Sequence, residues 1–160
     1  MFELSLPDGR LGYGIVVKRG GLSNGGTPYV AIFSPAYECR PDIQEITSND
    51  VVLQGWTMDA LVYHGRWNVI GHNGTEPAIQ FPIFKVLIDG KIYVVDVEGK
   101  VIDLATSSEI DVLDHRFSSA PIIFQDAFEA LHGFGEWKDH YDKLTPAYVQ
   151  PRADRPRRQR

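Results

Sequence analysis

A chain of 160 residues, 43% hydrophobic and 23% charged, has the length and composition of an ordinary globular domain, which excludes a disordered polymer and a fibrous repeat and calls for no disulfide or metal staple. The formal net charge of −5 is unevenly divided: residues 151–160 hold five arginines and one aspartate, while the preceding 150 residues carry 11 Lys and Arg against 20 Asp and Glu. So acidic a body disfavours phosphate backbones as ligands, and a basic protein surface suits it better.

Met1 to Asp8 places an acid and a turn where an export signal needs a basic start and an apolar run, and no apolar run approaches the roughly 20 residues that cross a bilayer. A cytoplasmic protein with no membrane contact is expected. Cys39 stands alone, with no disulfide partner and no metal-ligand spacing around it, and is expected to be a buried or inert thiol.

Along the chain, Phe2 to Leu6 alternates apolar and polar residues as a half-buried strand does, Pro7-Asp8-Gly9-Arg10 supplies a turn, and Leu11 to Lys18 reads as the hairpin partner. Gly12 and Gly14 flank Tyr13 there, a pattern that signals a bulge or a close backbone approach. Gly20 to Gly26 is a glycine-rich loop, Tyr29 to Phe33 a short strand, and Ser34 to Asp50 a long connection without a readable shape. Val51 to Trp56 and Trp67 to Ile70 are predicted strands, and Met58 to His64 fits either a strand or one helical turn.

Ile79 to Ile88 is apolar on both faces and is predicted as a central strand; Asp89-Gly90 is a two-residue hairpin signal leading into Lys91 to Val97, and Glu98-Gly99-Lys100 turns into Val101 to Leu104. A helix capped by Ser119, with Pro121 in its first turn and Phe124, Ala127, Phe128 and Leu131 on one face, runs to Gly133. A second helix carries Phe134, Trp137, Tyr141 and Leu144 as its core stripe. The fold class that follows is α+β: a mostly antiparallel bent sheet or partial barrel closed by two C-terminal helices. A single domain is expected over 1–146, with 147–160 a basic, disordered tail.

Catalytic patterns are weak. His64, His72, His115, His132 and His140 include no zinc-ligand spacing, and Ser118 and Ser119 sit in no nucleophile elbow. One enzymatic alternative stays open: Asp59, His64, Arg66 and His72 could converge across a hairpin as a small-ligand or metal-dependent site. Asp103, Glu109, Asp111 and Asp114 form an acidic cluster without EF-hand spacing. Between Asp89 and Asp142 there are 12 acids against four bases, so a charged face is concentrated in the second half, with Asp126, Glu129, Glu136 and Asp139 on the two helices. An adaptor binding a peptide along a sheet edge is a third possibility.

Two segments carry a resemblance. Phe2-Glu3-Leu4-Ser5-Leu6-Pro7-Asp8-Gly9-Arg10-Leu11-Gly12-Tyr13-Gly14 resembles the opening of the immunity protein twenty-six family, and His64-Gly65-Arg66-Trp67-Asn68-Val69-Ile70-Gly71-His72 resembles its central stretch. The matching motif positions are Asp8, Gly9, Arg10, Tyr13, Gly65, Arg66, Trp67, Gly71 and His72. The resemblance implies a mostly β immunity protein of a polymorphic toxin system, made beside the toxin it blocks, with no catalysis and no cofactor. Its partner would be a cognate toxin, a basic nuclease being one class that fits, met by Asp103, Glu109, Asp111, Asp114, Asp126, Glu129, Glu136 and Asp139. Gly9 and Gly65 suit turns, and Tyr13 and Trp67 suit the core.

Overall fold

A computed structural model describes residues 1–20, 27–72 and 79–148, so the glycine-rich stretch 21–26 and the basic stretch 149–160 lie outside the described residues. The described residues divide into two compact units, one drawn from 1–79 and 118–146 and the other from 80–117 with 147–148. The architecture is α+β, with eight strands in two antiparallel sheets and several helices among the described residues. No helix among the described residues is long and apolar enough to cross a membrane.

The first unit is built on β1 (Phe2–Ser5), β2 (Leu11–Gly20), β3 (Thr27–Tyr37), β4 (Val51–Trp56) and β5 (Trp67–Val69), in the order β4-β3-β2-β1-β5. Pairing irregularities between Leu11 and Tyr13, between Val16 and Lys18, and between Ile32 and Phe33 bend it, because an extra residue on one strand raises the local twist. β3 is longer than predicted and takes up the first part of the 34–50 connection. Pro35 is tolerated because the pairing with β2 jumps from Phe33–Tyr13 to Tyr37–Leu11, so no ladder bond is asked of its missing N–H. The rest of that connection contains a short helix, α1 (Ile43–Thr47), and 58–64 resolves as one helical turn, α2 (Ala60–Tyr63).

Both sheet faces are covered. One packs Phe2, Leu4, Val30, Ile32, Leu53 and Trp67 beneath Phe124, Ala127 and Phe128 of α4 (Pro121–Leu131), with Tyr141 and Leu144 beside them. The other gathers Tyr13, Ile15, Ala31 and Phe33 with Met1 and with Ile46 of α1. Gly12 and Gly14 permit the first face to close: a Cβ at Gly12 would stand 2.3 Å from Phe128, and one at Gly14 would stand 2.2 Å from Phe2. The close approach read from the Gly12-Tyr13-Gly14 pattern is thus that of two aromatic rings lying on bare backbone.

In the second unit β6 (Phe84–Ile88), β7 (Lys91–Val95) and β8 (Val101–Leu104) form a meander, and α3 (Ser107–Val112) follows. Asp89 and Gly90, with φ of 49° and 75°, make the predicted hairpin turn. The expectation of a central strand over 79–88 is corrected: only Phe84–Ile88 is a strand, it stands at the sheet's side, and β7 is central. Pro82 cuts the run short, and Leu87 is 62% exposed, so an apolar residue on each face did not mean a cover on each face.

Two C-terminal details also differ. Ser119 does not cap α4; its amide donates to the carbonyl of Trp56 at 3.0 Å, and Ala120 is the N-cap residue, with Pro121 at the first helical position. The second helix shrinks to a 3₁₀ segment, Asp139–Leu144, because Gly133 and Gly135, with φ of 86° and 101°, turn the chain out of helical geometry. Tyr141 and Leu144 remain buried, whereas Trp137 is 38% exposed and donates to Asp142 Oδ1 at 2.7 Å. Cys39 is exposed, not buried, on the turn that follows β3.

Candidate functional site

The residues singled out in the two motifs mostly build turns and core. Asp8 Oδ1 accepts from the Arg10 amide at 3.1 Å and Oδ2 from Arg10 Nε at 2.6 Å, while Gly9 takes φ 89° at the tip of the β1–β2 turn. That closed Asp8–Arg10 pair holds the Asp8 carboxyl below its ordinary range, through the Arg10 hydrogen bonds set against desolvation. Gly65 ends α2 in the left-handed conformation: its amide donates to Val62 at 3.0 Å and that of Arg66 to Leu61 at 2.9 Å, which satisfies two otherwise orphaned carbonyls. Trp67 is buried, stacked on Phe2 with ring centroids 4.6 Å apart, and its Nε1 donates to Gln125 Oε1 at 2.9 Å. Gln125 in turn donates to the Ser5 carbonyl at 3.0 Å and to Glu129 Oε1 at 2.8 Å. A buried indole N–H needs such a partner, so Gln125 is the reason that Trp67 can sit under α4.

A buried ionic cluster went unnoticed in the sequence. Glu3 is 5% exposed and accepts from the Tyr13 hydroxyl at 3.0 Å. Arg40 reaches in from the exterior with Nε on Glu3 Oε2 at 2.9 Å and Nη2 on Oε1 at 3.1 Å, a two-pronged contact that matches guanidinium and carboxylate geometry. Burial first, and then the adjoining Glu3 carboxylate, push the Tyr13 hydroxyl up to about 12. The one available hint was Glu3 lying opposite Tyr13 on paired strands, which becomes visible once the hairpin register is fixed.

Of the proposed enzymatic group, Asp59 and His72 line one cavity of about 470 Å³, together with Phe2, Val16, Val30 and Trp67. His64 and Arg66 do not line it; both are exposed, and His64 packs edge-on to Tyr63. No group of three or more His, Cys, Asp or Glu able to hold a metal occurs among the described residues.

The acidic residues fall into two sets. Asp103, Glu109, Asp111 and Asp114 belong to the second unit, and Asp126, Glu129, Glu136 and Asp139 to the first. Several already have internal duties. Glu109 completes a capping box with Thr106, accepting at 2.8 Å from its amide, and the Thr106 hydroxyl accepts from the Glu109 amide. Asp114 accepts from the Tyr148 hydroxyl, Asp103 from the Leu104 amide at 2.8 Å, and Glu129 from Gln125. Asp111, Glu136 and Asp139 are exposed.

Comparison of the chain with curated proteins and with solved structures gives no match. A family model described as Immunity protein 26 matches residues 1–91, which takes in all of the first sheet, both motif segments and the start of the second sheet. That span is more than half of the 160 residues, and the chain therefore belongs to the Immunity protein 26 family, whose members are immunity proteins of toxin systems.

Proposed function

We propose that this chain acts in the cytoplasm by binding a cognate polymorphic toxin and covering it, a steric and electrostatic blockade in which no covalent bond is made or broken. Family membership over residues 1–91 is the observation that carries this reading. The charge supports it: the first 150 residues hold 20 acids against 11 Lys and Arg, so the fitting toxin is a basic protein, as nucleases that grip phosphate backbones are. The candidate contacts are Asp103, Glu109, Asp111, Asp114, Asp126, Glu129, Glu136 and Asp139, among which exposed Asp111, Glu136 and Asp139 are the freest to meet a partner. Coexpression with the toxin encoded beside this chain should restore growth and yield a complex on gel filtration. Continued killing with no complex would remove the reading.

A second reading draws on the cavity that brings Asp59 and His72 together over an apolar floor. It predicts that His72→Ala abolishes any turnover while leaving toxin neutralisation intact. Loss of neutralisation with no measurable turnover would remove it.

A further inference from the structure

In the first unit β1 stops short of its neighbour: it pairs with Leu11–Gly14 of β2, while β2 runs on beside β3 to Gly20. The cavity of about 470 Å³ lies against that step, and its volume is in the range of small-molecule sites. At one end its wall is the stacked Phe2–Trp67 pair, with the Phe2 ring resting on Gly14, and Val16 and its partner Val30 follow. At the other end it is lined by Lys18 and Arg19, which pair with Tyr29 and Pro28 of β3. Four residues of extended chain lead from Gly14 to Lys18, so the apolar end and the cationic end stand roughly 13 Å apart.

The charge of the lining runs against that of the body. Residues 1–150 hold 20 acids against 11 Lys and Arg, yet the charged residues lining the cavity, among the described residues, are two bases, Lys18 and Arg19, and one acid, Asp59, with the His72 ring beside them. We propose that this cavity binds a small organic anion with an apolar body, a carboxylate whose tail lies on Phe2 and Trp67 and whose head meets Lys18 and Arg19. An ammonium and a guanidinium hold a carboxylate by charge-assisted hydrogen bonds, and the apolar wall takes the tail out of water, so each half of the ligand has its own place. A cation of the same length would set its charge against both bases. A peptide strand laid along β2 is the poorer occupant, because charged side chains blunt a sheet edge. The cavity is the one on which the second reading above rests, but binding requires neither turnover nor a toxin.

Titration of the full chain with decanoate, decanol and decylamine, followed by calorimetry and by the methyl NMR signals of Val16 and Val30, tests this. Decanoate should bind at least tenfold more tightly than either analogue and should shift both valines. Arg19→Glu and Lys18→Gln should each weaken decanoate binding severalfold, leave decanol binding as it is and keep the circular dichroism spectrum, whereas Lys100→Glu, in the second unit, should bind like the parent. The comparison of ligands uses the parent chain, so it decides the matter even where a variant fails to fold. Equal affinity for the three ligands overturns the anion. Shifts confined to other methyl groups, or no binding below about 1 mM, overturn the site. Toxin neutralisation and turnover are separate assays, and failure of either leaves these outcomes unchanged.

Discussion

Glu3 shows how one buried charge is made tolerable. A carboxylate withdrawn from water needs its lone pairs filled, and here a phenol from the neighbouring strand and a guanidinium from the exterior fill them. The pair is therefore coupled: Arg40→Ala should destabilise the parent clearly and a Glu3→Gln background much less, a difference read in a urea double-mutant cycle. Equal effects in both backgrounds would mean that Arg40 acts by packing alone. Tyr13 predicts a pH dependence. Its hydroxyl ionises near 12 in the fold and at 10.0 in an unfolded chain, so between those values the folded state holds the extra proton and stability falls as pH rises. Tyr29, raised in the same direction by burial, adds to this limb. Tyr13→Phe should flatten it without abolishing it, which melting temperatures taken between pH 9 and about 11 would report.

At the scale of elements, legibility followed how local the determinants are. Asp89-Gly90, the Gly12-Tyr13-Gly14 pattern and the periodic apolar face of α4 were readable because turn chemistry, close approach and helical spacing are written within a few residues. The strand status of 34–37 and the 3₁₀ shortening at Asp139–Leu144 were not, since they depend on pairing with β2 and on two glycines leaving the helical region. α3 is set just as locally: Thr106-Ser107-Ser108-Glu109 is a capping-box signature, and Glu109, an expected member of the acidic cluster, is its closing residue. Thr106→Ala should cost roughly 1 kcal/mol and show first as faster amide exchange over α3. The buried carboxylate was illegible for the opposite reason, because Glu3 and Arg40 lie 37 residues apart and meet through the fold alone. The motif residues, quoted for their resemblance, turn out to be mostly the turns, caps and core of the first unit, and so they define a scaffold better than a contact surface.

For the whole molecule, the proposed blockade makes charge set the kinetics of partnership. An acidic body steers a basic partner, and the ionic atmosphere screens that steering, with a reach of about 10 Å at 0.1 M salt. Raising salt from about 0.05 to 0.5 M should slow association with the toxin tenfold or more while altering dissociation little, as stopped-flow fluorescence would show. A salt-independent association rate would shift the weight of recognition from carboxylates to apolar contacts.

The discontinuity of the first unit has its own consequence for biosynthesis. Its sheet is complete in sequence by Val69, yet the aromatic lid of that sheet, Phe124 and Phe128, is translated after the whole second meander. A nascent chain leaving the ribosome must therefore carry Phe2, Leu4, Ile32, Leu53 and Trp67 uncovered while another fifty or so residues emerge, an interval in which chaperones have something to hold. A polypeptide released at Phe117 should stay soluble only with such help, and its tryptophan emission should remain that of a water-exposed ring.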